Sequence, residues 1–144
     1  MDYSIKLIKF GSSGYAETLR LREAVLRRPL GTVLQPEDTA SDSGEIHITA
    51  WDADRLAGVL LLRPLDSVQV KMRQVAVEPE LQGRGIGRRM VEFSEGAARA
   101  LGYREIVLHA RKTAAGFYEK LGYSQEGGEF LEIGLPHVEM LKRV

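Results

Sequence analysis

The sequence contains no cysteine. Disulfide cross-links, thiolate nucleophiles and cysteine-ligated zinc are therefore excluded. It has no excess of either charge: Lys plus Arg and Asp plus Glu number 20 each, a formal net charge of zero. Bulk electrostatic attraction to nucleic acid is not expected, although Arg84, Arg88 and Arg89 form a local basic patch in the sequence. No apolar run approaches the roughly 18 residues of a membrane span. The start, Met1-Asp2-Tyr3-Ser4-Ile5-Lys6, lacks the long apolar core of a signal peptide. These absences set the expectation of a cytoplasmic protein with neither nucleic acid nor membrane as partner. Repeats, low-complexity tracts and linkers are also missing, so residues 1–144 are expected to form a single domain. That length buries a core without help from a metal.

What the chain does have is Gln82-Gly83-Arg84-Gly85-Ile86-Gly87, between the apolar run Gln74-Val75-Ala76-Val77 and an amphipathic stretch, residues 88–101. The order reads as strand, glycine-rich turn, helix. Each glycine would weaken a helix interior by about 1 kcal/mol relative to alanine, and three make sense where the backbone must approach something bulky. A helix start also offers unpaired N–H groups and the positive end of the dipole. Together these features form a socket for phosphate, so the turn is expected to hold a pyrophosphate-bearing cofactor.

Around this turn the periodicities predict an α/β chain. Residues 3–9 read as a strand and residues 15–26 as a helix with Leu19, Val25 and Leu26 among its buried positions. Residues 31–44 read as loop with at most one helical turn. Residues 46–51 and 56–62 form a predicted hairpin, and a third strand runs from Val68 into Val77. On the following helix Ile86, Met90, Phe93, Ala97 and Leu101 are spaced as one buried face, with Arg88–Glu92 and Glu95–Arg99 as solvent-side pairs. Gly102 suits a left-handed cap. Ile106-Val107-Leu108 is the next strand, and the right-handed crossover rule makes it parallel to the strand before the turn. Thr113 is placed to cap a short helix over residues 114–121 that buries Phe117 and Leu121, and two strands, residues 124–132 and 137–143, complete the chain.

With the turn and its surroundings in place, the chain resembles the GNAT (GCN5-related) N-acetyltransferases. Gln82-Gly83-Arg84-Gly85-Ile86-Gly87 matches their Q/R-x-x-G-x-G/A signature for acetyl-coenzyme A. Val75-Ala76-Val77-Glu78-Pro79 resembles their central strand, and Ala114-Ala115-Gly116-Phe117-Tyr118-Glu119-Lys120-Leu121-Gly122-Tyr123 their second signature. Gly134-Leu135-Pro136-His137-Val138-Glu139-Met140 is similar to one branch of small members. The resemblance implies a mixed, mostly antiparallel sheet, two splayed central parallel strands and helices on both faces. It implies acetyl-coenzyme A as co-substrate, held by Val75, Ala76 and Val77 at the pantetheine arm and by Gln82, Gly83, Arg84, Gly85, Ile86, Gly87 and Arg88 at the pyrophosphate. Ala114, Phe117 and Tyr118 would line the thioester end. Tyr118 would then serve as general acid, the Val77 N–H would stabilise the oxyanion, and neither a metal nor a covalent enzyme intermediate would be required. One departure stands out: Arg111 replaces an Asn common in relatives, and arginine cannot accept a hydrogen bond.

Several alternatives remain open at this level. The glycine turn also fits a mere tight connection, or a dinucleotide site, although Gly85-Ile86-Gly87-Arg88-Arg89-Met90 lacks the third small residue and Glu105 would be the acidic partner. For the general base His137 is preferred, with His47, His109, Glu45, Glu78 and Glu139 behind it. Arg20, Arg22, Arg27 and Arg28 read as a solvated helix face, or, for Arg22 and Arg28, as contacts to an acidic acceptor. The expected acceptor is a primary amine of a small molecule. A peptide amine and a non-catalytic acyl-CoA-binding domain are the other options, and a homodimer is compatible with the resemblance.

Overall fold

The computed structural model describes residues 3–144, and these form seven strands and four α-helices. In chain order they are β1 (Ser4–Ile8), α1 (Ser13–Leu26), α2 (Pro36–Thr39), β2 (Ile46–Asp52), β3 (Arg55–Pro64), β4 (Gln69–Val77), α3 (Ile86–Ala100), β5 (Glu105–Arg111), α4 (Ala115–Lys120), β6 (Ser124–Glu132) and β7 (Leu135–Arg143). The strands make one sheet in the order β1-β2-β3-β4-β5-β7-β6. Only β4 and β5 are parallel, as the crossover through α3 requires. This is the mixed, mostly antiparallel sheet expected from the sequence. It excludes the dinucleotide-binding alternative, which needs a parallel doubly wound sheet. No described helix is long and apolar enough to cross a membrane.

Alternation along β3 decides which helix covers which face. Leu60 and Leu62 join the core beneath α3 with Ile86 and Met90, whereas Val59 and Leu61 join Leu21 of α1 on the other side. Gly58 is needed for that packing, since a Cβ there would lie 2.7 Å from the Met90 methyl group. The buried stripe of α3 runs through Ile86, Met90, Ser94 and Ala98, with Val91 and Glu95 beside it. The expected stripe through Phe93, Ala97 and Leu101 is therefore rotated: Phe93 and Leu101 are exposed. A steady i+4 repeat continues through small residues, and the Ser94 hydroxyl is satisfied by donating to Val91 O at 2.6 Å. Glu95 does not face solvent with Arg99 either. It accepts from Tyr123 Oη at 3.0 Å and from Lys142 Nζ at 3.0 Å.

The helix α1 brings a larger correction. Arg22, read as part of a solvated face, is fully buried. Its guanidinium donates to Asp42 Oδ2 at 2.8 Å, to Asp38 O at 3.0 Å and to Gln74 Oε1 at 2.9 Å. Arg73 joins from β4, donating to Glu45 Oε1 at 3.0 Å and to Asp42 Oδ1 at 3.3 Å. Tyr15 Oη donates to Asp42 Oδ2 at 2.7 Å, which together with burial pushes the phenol up to about 12. The loop between α1 and β2 thus carries the carboxylates of a buried ion cluster and is not free surface. Glu45, a candidate base, is consumed here. His47 Nε2 is committed to Asp42 O at 2.7 Å behind the sheet.

Removing one partner of a buried ion pair leaves the other charge unpaired, which costs about 3–5 kcal/mol. Asp42→Ala is expected to lose stability in that range, read as a lower urea midpoint with an unchanged slope.

Candidate active site

β4 and β5 pair only from Gln69↔Glu105 to Met72↔Leu108. Beyond that register they part. On its other side β4 stays joined to β3, but with a register shift between Val59 and Leu61. The extra residue is accommodated at Gln74, whose φ of 55° is left-handed. The Glu78 N–H donates to Ala57 O of β3 at 2.8 Å. Backbone alternation then turns the N–H groups of Val77 and Val75 toward the gap and that of Ala76 toward β3. The parting therefore leaves an internal sheet edge that Val75 and Val77 face, whereas Ala76, the third residue expected at the pantetheine arm, turns its N–H to β3.

The glycine turn continues from this edge. Leu81 and Ile86 are buried and pin it at both ends, while residues 82–85 are exposed. Gly83 and Gly85 have φ of 78° and 82°, conformations that a side chain would oppose. Gly85 is the cap residue of α3, and the first helical hydrogen bond runs from Arg89 N–H to Gly85 O at 3.1 Å. The N–H groups of residues 83–88 have no acceptor among the described residues. The first turn of α3 has no acidic residue, and Arg88 and Arg89 occupy it against the helix dipole. Arg84 is exposed beside them. This combination suits a bound anion.

The short helix α4 closes the other side of the gap. It begins one residue later than expected and is capped by Ala114, not by Thr113. Its buried residue is Tyr118; Phe117 is 40% exposed. Phe117 instead lies over the start of α3, where a Cβ on Gly87 would meet its ring at 3.5 Å and Val77 at 3.9 Å. The rings of Phe117 and Tyr118 meet edge to face at 4.9 Å. Desolvation pushes the Tyr118 phenol up to about 12, so it stays protonated at neutral pH. Its hydroxyl has no hydrogen-bond partner among the described residues.

A cleft of about 510 Å³ opens on the α1 face where the strands separate. Val75, Ala114, Tyr118 and His137 line it together, as does Arg111. Residues 82–88 lie outside it, on the open surface past the end of β4. His137 is buried, and its Nδ1 lies 2.8 Å from Leu135 O, which places the proton on Nδ1 and leaves Nε2 as an acceptor. Glu132 Oε2 stands 3.6 Å from that Nε2 and Oε1 stands 2.9 Å from His109 Nδ1. Glu132, Lys71 and Gln74 line the cleft and were not singled out from the sequence. Glu132 is brought to His137 by a tight turn in which both Ile133 and Gly134 have positive φ; the Glu-x-Gly spacing before Leu135-Pro136 was the available signal. Glu78 and Glu139 do not line the cleft.

The family profile described as Acetyltransferase (GNAT) domain matches residues 28–144. A Bacillus subtilis protein described as a putative acetyltransferase is 30% identical over 126 residues, 85% of this chain and 85% of its own. Among solved structures, a Lactobacillus plantarum protein described as a putative N-acetyltransferase superposes with a TM-score of 0.89 at 25% identity, over 98% of this chain and 97% of that one. An aminoglycoside 6'-N-acetyltransferase complexed with coenzyme A shares the fold, with a TM-score of 0.79 at 18% identity over 97% of this chain and 96% of that one. The chain belongs to the GNAT acetyltransferase family.

Lys71 gives a stability prediction. Half-burial lowers its pKa below the unfolded value of 10.5. Between the two values the unfolded chain binds more protons, so this group makes stability rise with pH across that window, and its full penalty is present below it. Lys71→Met is therefore expected to raise the melting temperature at pH 7 by about 2 °C, with the gain vanishing as pH passes 10.5. Scanning calorimetry at both pH values checks this.

Proposed function

We propose that this protein transfers an acetyl group from acetyl-coenzyme A to a primary amine of a small molecule. The observation that carries the proposal is two sets of backbone donors, those of Val75 and Val77 facing the gap between the parted strands and those of residues 83–88 at the glycine turn, beside a cleft that holds Tyr118 and His137. The residues present fit coenzyme A: unpaired amides and left-handed glycines meet the pyrophosphate, and the open edge of β4 meets the pantetheine amides. Coenzyme A supplies the thioester and the thiolate leaving group.

The chain's own residues do the rest. The Val77 N–H stabilises the negative charge that develops on the thioester oxygen. His137 Nε2 takes the proton that the acceptor amine gives up, and Glu132 stabilises the imidazolium that results. The Tyr118 phenol protonates the departing sulfur; its high pKa keeps the proton available. Phe117, Gly87 and Ala114 shape the passage between turn and cleft. Arg111 ends β5 at the same end of the parallel pair as the glycine turn, so it is assigned to a cofactor phosphate in place of the usual Asn.

Tyr118→Phe is expected to lower kcat by about 10²-fold while coenzyme A affinity, measured calorimetrically, is kept. Gly85→Asp is expected to abolish coenzyme A binding through charge conflict and backbone strain. Coenzyme A binding without thiol release from acetyl-coenzyme A across amines, amino acids and peptides would instead favour a non-catalytic acyl-CoA-binding domain. Preference for a peptide amine in that panel would move the acceptor from small molecule to protein.

A further inference from the structure

We propose that the acceptor amine carries a carboxylate, and that Lys71 and Arg63 receive it on the open face of the sheet. The proposal rests on the reading of the cleft as the acetyl-transfer site.

Most charged groups lining the cleft are already neutralised. Arg27 holds Asp38 with two hydrogen bonds, at 2.7 and 3.2 Å. Arg73 is taken by Glu45 and Asp42. Glu132 faces the two histidines. Three cations, Lys71, Arg63 and Arg111, have no carboxylate within salt-bridge distance among the described residues, and of these Arg111 is the one assigned above to the cofactor. The one unpaired carboxylate, Glu37, is exposed on α2.

The other two cations are also forced together. Arg63 and Lys71 are direct partners in the β3–β4 ladder, and like charges at opposed positions are destabilising. Lys71 is half-buried besides. Its polar neighbour is His109 Nδ1 at 3.3 Å, the same nitrogen that lies 2.9 Å from Glu132 Oε1. One ring nitrogen cannot accept from Lys71 and donate to Glu132 at once. In the tautomer that bonds Glu132, the Lys71 ammonium is left without an acceptor. A carboxylate entering the cleft supplies one and relieves the repulsion between the two cations.

The anion concerned is not a cofactor phosphate. Lys71 stands six residues before Val77 on β4, which is roughly 20 Å of extended strand, and the glycine turn lies beyond Val77. The acceptor is therefore the species that brings the charge. The contacts from Lys71 through His109 and Glu132 to His137 join the anion end of the cleft to the proton-accepting end. An amino-carboxylate fits this polarity, whereas a polyamine or another polycation would meet only unpaired positive charges there.

The test compares ω-amino acids with α,ω-diamines of the same length, in a series that extends to chains long enough to reach from Lys71 to the thioester, by thiol release. The amino acids are expected to show kcat/KM about tenfold or more above their diamines. Lys71→Met should erase that preference, Lys71→Arg should retain most of it, and neither should change the KM for acetyl-coenzyme A. Equal or better use of the diamines, or a preference that survives Lys71→Met, overturns the proposal. Should no amine be acetylated, the acetyl-transfer reading fails, and the anion site is still decided by calorimetry with the N-acetylated amino acids. Binding weakened about tenfold by Lys71→Met supports it; absent binding, or equal binding by both proteins, overturns it.

Discussion

The parting of β4 from β5 beyond Met72 and Leu108 is the feature on which the site depends. A sheet interior is a costly place to leave backbone donors without partners, and here the edge lies in the middle of seven strands. The bulge at Gln74 shifts β4 against β3 at the level where the parting begins. The left-handed backbone of a non-glycine residue costs about 1–2 kcal/mol, so something must hold it. The buried cluster does so directly: Arg22 Nε donates to the Gln74 side chain and Arg73, one residue earlier, is anchored to Glu45 and Asp42. The ion pairs behind the sheet and the opening in front of it are thus two sides of one device. It explains why three charged groups of a single cluster, Arg22, Asp42 and Glu45, are taken out of water in so small a protein.

Charge is sorted along the opening. At the C-terminal ends of β4 and β5 stand unpaired amides, left-handed glycines and exposed arginines, a field for anions. In the middle the environment is apolar enough to keep the Tyr118 phenol protonated. On the α1 face Glu132 faces two imidazoles, a place for a proton. Lower on the same face Lys71 and Arg63 oppose each other across the β3–β4 ladder. A phosphate-bearing thioester and an amine with an anionic tail would meet at Tyr118 and His137 from opposite ends, and this polarity would orient each.

Much of this was legible in the sequence because it is local. A glycine run between an apolar strand and an amphipathic helix has few interpretations, and crossover handedness then fixes β4 and β5 as parallel. The less legible parts are those in which tertiary partners override a local pattern. Arg22 sits among other arginines on an amphipathic helix, and only the carboxylates of a loop twenty residues away make its burial tolerable. Glu95 has an i+4 arginine and still turns inward, because Tyr123 and Lys142 arrive from later elements. In α4 the apolar rule favours Phe117 over Tyr118 as the core residue. The order is reversed because Phe117 is drawn to cover Gly87 at the start of α3. Glu132 gave no periodic signal; its place beside His137 follows from a two-residue turn containing an isoleucine at φ 48°, a residue that sequence preferences would not put there.

The most direct measurement is an amide-resolved NMR titration of the folded protein with coenzyme A. Progressive displacement of the N–H resonances of residues 83–88, together with those of Val75 and Val77, is the expected result, with Ala76 moving less than its two neighbours. Saturable binding that leaves those amides in place and displaces others would contradict the assignment of the parted strand and glycine turn as the cofactor site.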